Sequence, residues 1–321
     1  MKKFIYLFLL FSLSNSVIAQ YIVIDSITKT PLPYVAIKFD KNDGVYSNEF
    51  GKFNLDTMMG DSISLYLLGY QKKELNIKNI LNDTVHLKPL IYELEEVVVS
   101  KKPKITGKIK KYKPEQHNDF IQSHWLFIGA ELATLIPNTA ESDYLVLKTL
   151  LIPVITRTIS FDESMYGKAQ NVKVLPFSSM YQIKFYENLN GVPGGQIVNE
   201  DIIVVLNEKS KIAEVNLENH HIEVPPNGLF VSVLNLGETD ENGILISTSP
   251  FVIKKSESGK TAKVRKPTKP FFPVYYSEKK NNTYIRFNLD NNPSWEIFFK
   301  NGKNRNGEYH NVKFGYEVII Y

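Results

Sequence analysis

The sequence predicts an all-β protein built from two tandem sandwiches, a smaller one followed by a larger one. Apolar and polar residues alternate in short segments along most of the chain, and Gly, Pro, Asn and Asp punctuate these segments. The N-terminal part contains no amphipathic stretch of ten residues with helical spacing. A length of 321 residues is enough for about two domains with separate cores.

Residues 1–19 have the features of a secretory signal peptide. Lys2 and Lys3 precede an apolar run over residues 4–13, and Val17-Ile18-Ala19 supplies small residues before a cleavage point after Ala19. The alternative, a membrane anchor, needs about 20 apolar residues, and this run is shorter. We therefore expect an exported protein, periplasmic, outer-membrane-associated or extracellular, with no transmembrane segment after cleavage.

Composition and charge exclude several classes of site. The chain has no cysteine, which excludes disulfides, thiolate zinc sites, cysteine nucleophiles and iron–sulfur clusters. Loss of Lys2 and Lys3 with the leader takes the formal charge from +4 to +2. A nearly neutral protein does not steer nucleic acid strongly, so we expect no nucleic-acid partner.

The first sandwich is assigned to residues 20–100. Its short alternating segments each bury one face, which requires a second sheet to cover that face. The clearest segments are Tyr21-Ile22-Val23-Ile24, Val35-Ala36-Ile37-Lys38-Phe39, Ser62-Ile63-Ser64-Leu65-Tyr66-Leu67 and Thr84-Val85-His86-Leu87.

Three motifs in this region carry a family resemblance. They are Pro31-Leu32-Pro33, the run from Gly44-Val45-Tyr46 to Gly51-Lys52-Phe53, and Leu68-Gly69-Tyr70. In this order they resemble the carboxypeptidase-regulatory-like domain, which is common at the N-termini of exported proteins of Bacteroidetes type. The resemblance implies a transthyretin-like sandwich of seven strands and an accessory role without peptidase activity. Tyr21, Lys29 and Tyr34 stand where the family usually has glycine, so we expect those turns to differ in geometry.

The end of the first domain and the connector after it have distinct compositions. The segment Glu95-Glu96-Val97-Val98-Val99-Ser100 is similar to the one before the plug of TonB-dependent transporters. The chain left after it is too short for a plug and a barrel, so we assign it to the last strand and expect no TonB contact. Residues 101–117 are rich in lysine and predict an extended basic linker.

Residues 118–321 predict a second, jelly-roll-type sandwich with some ten strands. The expected strands are 125–136, 144–156, 180–186, 201–206, 212–217, 228–236, 243–253, 283–288, 295–299 and 312–320. Turn signals between them include Asn190-Gly191, Pro193-Gly194-Gly195 and Asn242-Gly243. The stretch from Gln182 to Val233 is similar to an uncharacterised module that follows the regulatory-like domain in other exported Bacteroidetes proteins, which implies architecture and no mechanism.

A metal-assisted hydrolase is the rival to a non-catalytic protein. His220-His221-Ile222-Glu223 has the H-x-x-E spacing of zinc carboxypeptidases, and His310 would be the third ligand. Residues three apart on a strand point to opposite faces, so His220 and Glu223 are not expected to converge. Turns such as Asp240-Glu241-Asn242-Gly243 offer oxygen ligands for calcium, but they are also ordinary hairpin turns. We expect no metal, no cofactor and no catalytic residue.

The candidate binding residues lie between positions 263 and 276. Basic side chains beside aromatic rings hold anionic groups and stack on sugars. The candidates are Lys263, Arg265, Lys266, Phe271, Phe272, Tyr275 and Tyr276. We therefore predict a non-catalytic binding or assembly module of the cell envelope, with a protein or glycan partner. The alternatives are the metal-assisted hydrolase and a purely structural envelope component.

Overall fold

The structure is a computed structural model that describes residues 20–40, 43–55, 58, 60–90, 107–116, 123–138, 145–156, 176–255, 259–266, 268–277, 280–299 and 307–320. Within these ranges the regular elements are strands and two single-turn 3-10 helices, which confirms the all-β fold. The expected leader and the segment Glu95-Glu96-Val97-Val98-Val99-Ser100 lie outside the described residues. The described part of the chain contains no helix that is long and apolar enough to span a membrane.

In the described residues, the first sandwich has seven strands in two sheets. These are β1 (Gln20–Asp25), β2 (Ala36–Asp40), β3 (Asp43–Tyr46), β4 (Lys52–Asn54), β5 (Ser62–Tyr66), β6 (Lys73–Asn76) and β7 (Thr84–Leu87), with 3-10 turns at Ile77–Asn79 and Leu81–Asp83. One sheet has the order β4-β1-β7 and the other β3-β2-β5-β6. Val23, Phe53 and Leu87 face Ile37 and Leu65 in the shared core. The predicted strand number is therefore found.

Two turns of this sandwich place non-glycine residues in the left-handed region. Lys29 has φ 62° and Tyr34 has φ 54°, whereas Tyr21 lies within β1. Gly51 also has positive φ, and a Cβ there would lie 2.6 Å from the Val23 carbonyl oxygen. Lys29 and Tyr34 thus adopt a conformation that glycine tolerates better than they do.

The second sandwich contains the remaining strands. These are β8 (Lys108–Tyr112), β9 (Ser123–Trp125), β10 (Ala130–Ile136), β11 (Leu145–Pro153), β12 (Ser178–Leu189), β13 (Val192–Gln196), β14 (Ile202–Asn207), β15 (Ile212–Asn216), β16 (Ile222–Glu223), β17 (Leu229–Glu238), β18 (Phe251–Lys255), β19 (Thr261–Arg265), β20 (Phe271–Pro273), β21 (Tyr275–Ser277), β22 (Thr283–Phe287), β23 (Glu296–Ile297), β24 (Tyr309–Asn311) and β25 (Gly315–Ile320).

Two sheets of this domain face each other across its core. The larger has the order β13-β12-β17-β10-β22-β23, with β14 also paired to β12. The smaller has the order β15-β11-β25-β8, with β16 paired to β11. Because β10, β11 and β12 alternate between the sheets, the chain crosses the core at each step, as expected for a jelly-roll type. Leu132, Phe185 and Val231 meet Leu147 and Val318 in this core.

Three local expectations are corrected by the structure. Lys108–Tyr112, predicted as part of the linker, is the edge strand β8: Tyr112 stacks on Tyr316 and Lys111 lies 2.9 Å from Glu317 of β25. Val192–Gln196, predicted as a turn, is strand β13. The strand expected from residue 243 begins only at Phe251. β8 and β13 are strands because they pair with β25 and β12, and local composition does not reveal those pairing partners. Residues 101–106 of the predicted linker lie outside the described ranges.

The first sandwich packs against the outer face of the large sheet of the second. Ala36 and Tyr46, from β2 and β3, are buried in a cluster with residues of the other domain: Ile128, Met180, Leu234, Leu236, Leu245 and Leu289. Polar contacts cross the same junction, because Lys38 Nζ donates to the carbonyl of Asp290 at 2.5 Å. The two domains are therefore joined by a buried interface as well as by the connecting chain.

Candidate functional site

Three aromatic rings form a row at the surface of the second domain. Strands β21 and β24 pair so that Tyr276 lies opposite His310, with ring centroids 4.5 Å apart. Phe299, just after β23, places its ring 4.9 Å from that of His310. We call Tyr276, His310 and Phe299 the aromatic platform.

The platform is exposed to solvent at both ends. Tyr276 is 38% exposed and Phe299 is 42% exposed. Among the described residues, only Phe50 and Tyr66 are other aromatic side chains with comparable exposure. Exposed apolar surface of this kind is typical of a binding site.

The backbone at Phe299 holds this ring outward at an energetic cost. Phe299 has φ 52°, a left-handed conformation that is unfavourable for a residue with a Cβ. Its neighbour Phe298 is fully buried, and the two rings are 4.5 Å apart. Phe298 anchors the segment in the core while Phe299 stays in solvent. Such strain is concentrated at ligand-binding sites in proteins.

A neutral imidazole lies behind the platform. The ring of His124, on β9, is 4.9 Å from that of Phe298 and 5.1 Å from that of Phe299. Burial lowers the pKa of His124 to about 4, so its ring is uncharged at neutral pH. In the platform itself, His310 Nδ1 is buried and makes no hydrogen bond within the described part of the chain. The imidazole that supports the platform is therefore uncharged at neutral pH.

The predicted aromatic binding residues divide between core and surface. Phe271 and Phe272 are 4% and 0% exposed, so neither ring is available to stack on a ligand. Tyr275 is half-buried, and burial raises its pKa. Tyr276 alone of this group reaches the surface, where it joins the platform.

The predicted basic binding residues already have partners inside the protein. Lys263 Nζ lies 2.6 Å from Asp43 of the first domain, and Lys266 Nζ lies 2.7 Å from Glu238. The Arg265 guanidinium stacks over the ring of Phe287 at 4.4 Å. The structure thus uses these three side chains in contacts within the molecule, and they do not surround the platform.

The residues considered for a metal site are not assembled around one point. His220 hydrogen-bonds Glu200 through Nδ1, while Glu223 lies 3.5 Å from His221. His310 is in the platform. No group of three or more His, Cys, Asp or Glu side chains is placed to hold a metal ion in the ranges that the structure describes.

The turn considered for calcium has a simpler structural role. Asp240 Oδ1 accepts the backbone N–H groups of Asn242 and Ile244, each at 2.9 Å. The carboxylate thereby closes the turn. The turn Glu187-Asn188-Leu189-Asn190-Gly191 also offers oxygen ligands for calcium, and there Asn188 Oδ1 accepts the N–H of Gly191 at 2.7 Å. These oxygens stabilise hairpins without any need for an ion.

A buried ionic network under the first domain was not anticipated from the sequence. Glu131 of β10 is fully buried and accepts hydrogen bonds from Tyr186, Ser232, Arg286 and Asn288, all between 2.6 and 2.8 Å. Burial alone would raise the pKa of Glu131, but the charges of Arg286 and Lys184 and the hydrogen bonds from Ser232 and Tyr186 lower it to about 2.

Tyr46 of the first domain is buried in the domain junction and is influenced by the charges of this network. Its side chain is buried, its hydroxyl makes no hydrogen bond to the described residues, and burial beside Glu131 raises its pKa. A lone glutamate within the apolar strand Ala130–Ile136 was the available sequence signal for the network. For Phe299 and His124 no comparable signal exists, since both lie in ordinary aromatic segments.

Comparisons with known proteins add no family assignment. No protein-family model matches the chain, and neither a curated protein nor a solved structure is similar to it at a significant level.

Proposed function

We propose that this is an exported cell-envelope protein that acts as a non-catalytic binding module, and that the aromatic platform binds a glycan. The signal-peptide pattern at residues 1–19 and the resemblance of the first domain to a non-catalytic accessory domain support export and an accessory role. The observation that carries the binding site is the exposed row of Tyr276, His310 and Phe299.

The chemistry of the platform fits the apolar face of a saccharide. A sugar ring presents C–H groups on its faces, and these pack on aromatic rings while the hydroxyl groups stay in water. The neutral state of His124 keeps charge away from the layer below the platform. Because Lys263 and Lys266 are paired with Asp43 and Glu238, the proposal relies on stacking and not on attraction of an anionic group.

The first domain acts as a rigid support in this proposal. Its contacts with the second domain combine a buried apolar cluster with an ion pair, so the platform has a fixed orientation relative to the first sandwich. An assembly role through a protein partner would use the same exposed rings. Binding measurements distinguish these two occupants.

The test uses calorimetric titration with oligosaccharides released from bacterial lipopolysaccharide and peptidoglycan. Tyr276→Ala and Phe299→Ala should each weaken binding by roughly five-fold or more, since loss of one aromatic stacking contact costs about 1–3 kcal/mol. Phe50→Ala and Tyr66→Ala are matched controls, because their rings are similarly exposed but lie in the first domain. Glycan binding that is absent in the wild type, or unchanged in both platform variants, would contradict the proposal.

The fluorescence of Trp125 provides a second measurement of glycan binding. It and Trp295 are the two tryptophans of the chain, and the ring of Trp125 is 6.0 Å from that of His124. In a Trp295→Phe background, the remaining fluorescence reports from the layer beneath the platform. A glycan that binds at the platform should shift this emission, and the shift should disappear in Phe299→Ala.

A further inference from the structure

The positive charge of this protein is concentrated in one short stretch of its sequence. Residues 101–113 contain seven lysines and no acidic residue. Without Lys2 and Lys3 the formal charge of the chain is +2, and this stretch contributes +7, so the remainder carries −5. A cationic stretch on an anionic body orients a protein towards anionic surfaces.

The described part of this stretch forms a free edge of the smaller sheet. Strand β8 pairs with β25 on one side, and no strand of the described residues pairs with its other side. Lys108, Ile109 and Lys110 are exposed, and so is Lys113, which follows the strand. We call these four residues the basic edge. Since side chains of both faces of a strand are accessible at an edge, a surface that lies along β8 contacts the lysines and Ile109 together.

The acidic groups next to the basic edge do not neutralise it. Glu317 of β25 lies 2.9 Å from Lys111, and this pair is left out of the basic edge for that reason. Glu115 follows the edge in the chain, and its backbone N–H donates to the carbonyl of Lys313, an exposed residue that brings a further positive charge. Among the described residues, the three lysines of the basic edge make no ion pair. The edge therefore keeps an excess of positive charge.

Ile109 gives the basic edge an apolar element. Its side chain is 52% exposed, and Ile319 of β25 lies directly opposite it on the same face. On the other face, Lys110 Nζ lies 5.0 Å from the centre of the Tyr112 ring, so the lysine stem covers apolar surface while its charge stays in solvent. Lysines beside an exposed apolar side chain are the combination that binds at the interface of an anionic bilayer.

Other occupants fit this edge less well than a bilayer. Lysines on an edge strand disfavour the addition of a further strand. They also disfavour β8 of a second copy, because like charges would then lie opposite each other. A soluble polyanion would contact the lysines but would gain nothing from Ile109.

We propose that the basic edge docks this protein on the surface of an anionic lipid bilayer. The three lysines contact the phosphate groups of the lipids, and Ile109 enters the layer between the headgroups and the acyl chains. The basic edge shares no residue with the aromatic platform, so loss of lipid binding and loss of glycan binding are separate results.

The test measures co-sedimentation with vesicles of phosphatidylglycerol and phosphatidylcholine in equal parts, and with vesicles of phosphatidylcholine alone. The protein is the chain from Gln20 onward, which contains all the described strands, because the apolar run of residues 1–19 would bind lipid by itself. We expect binding to the anionic vesicles alone, and weaker binding as salt is added. Lys108→Gln/Lys110→Gln/Lys113→Gln should weaken it about a hundred-fold, since each lysine near an anionic surface contributes roughly five-fold.

A matched triple variant separates the basic edge from a general effect of charge. Lys52→Gln/Lys209→Gln/Lys211→Gln removes three exposed lysines that lie outside residues 101–113 and make no ion pair within the described part of the chain. It has the same net charge as the first triple variant and should keep vesicle affinity within about two-fold. Equal melting temperatures of the two triple variants show that neither change acts through the fold.

Ile109→Thr separates a bilayer from a soluble polyanion. It should weaken vesicle binding about four-fold, because roughly one methylene of burial is lost, and should leave any binding of inorganic polyphosphate unchanged. The proposal is overturned by absence of binding to the anionic vesicles, by equal binding to phosphatidylcholine alone, or by equal loss in both triple variants. It is also overturned if Ile109→Thr keeps full vesicle affinity.

Discussion

The carboxylate of Asp43, at the start of β3, lies 2.6 Å from the ammonium of Lys263 on β19 and so joins the two sandwiches. Asp43 is almost fully buried, and its other oxygen accepts hydrogen bonds from the Ser249 hydroxyl and the Gly44 backbone, both at 2.8 Å. The β18–β19 hairpin of the second domain therefore contacts the first domain through a charged hydrogen bond.

Asp43→Asn should destabilise the whole protein by about 2 kcal/mol, because a hydrogen bond to a charged group is lost and Lys263 remains without its partner. The free energy of unfolding in urea gives this value. Lys254→Met, which removes a lysine from the same hairpin, is the control and should change it by less than about 0.5 kcal/mol. Equal destabilisation by both substitutions would show that the contact between Asp43 and Lys263 does not stabilise the domain junction.

Glu131→Gln should cost about 3–5 kcal/mol, since it leaves Arg286 buried beside a neutral group. The double variant Glu131→Leu/Arg286→Met removes both charges and should lose less than the single variant. Urea unfolding of the three proteins provides the comparison. A double variant at least as unstable as Glu131→Gln would contradict this account of the network.

The lowered pKa of Glu131 predicts that the free energy of unfolding depends on pH in the acid range. The pKa of Glu131 is about 2 in the folded protein and 4.5 is its ordinary value, so its stabilising contribution is complete above pH 4.5. It is lost as pH falls from about 4.5 to 2. The difference in unfolding free energy between wild type and Glu131→Gln should shrink over that interval and stay constant above it.

Protonation of His124 should change the free energy of unfolding at higher pH than protonation of Glu131 does. Its pKa is about 4 when folded against an ordinary 6.5, so between these values the unfolded chain binds a proton that the folded protein does not. Stability should therefore fall with decreasing pH by about 1.4 kcal/mol per unit in this window. His124→Phe keeps an aromatic ring and should remove this slope. A pH profile that is identical in the variant would show that His124 does not titrate in this way.

The substitutions Lys29→Gly and Tyr34→Gly should change the stability of the protein in opposite directions. Both have positive φ, and glycine relieves about 1–2 kcal/mol of left-handed strain while it adds unfolded-chain entropy. Lys29→Gly should thus raise stability by about 0.5 kcal/mol. Tyr34→Gly also loses a ring packed in the domain junction, and should lower stability by about 2 kcal/mol. Equal signs in urea unfolding would rule out this explanation.

The alternation of side chains was sufficient to predict the all-β fold and most strand positions. Strands such as β1, β5 and β7 were recognisable because inward and outward residues repeat every two positions, and turn residues end each segment. A residue's local neighbours decide these features, so one sequence is enough to predict them. The Glu131 strand carried a signal as well, a single acid among apolar residues, but no indication of its partners.

Contacts between residues far apart in the sequence determine which side chains form the candidate binding site. Phe271 and Tyr276 lie five positions apart in similar surroundings, yet only the tertiary fold determines that the first enters the core and the second joins Phe299 and His310. The domain junction likewise brings Lys38 Nζ within 2.5 Å of the Asp290 carbonyl oxygen. The pairing of strands and of domains depends on which surfaces are complementary once distant segments have come together. The local pattern of apolar and polar residues does not contain that information.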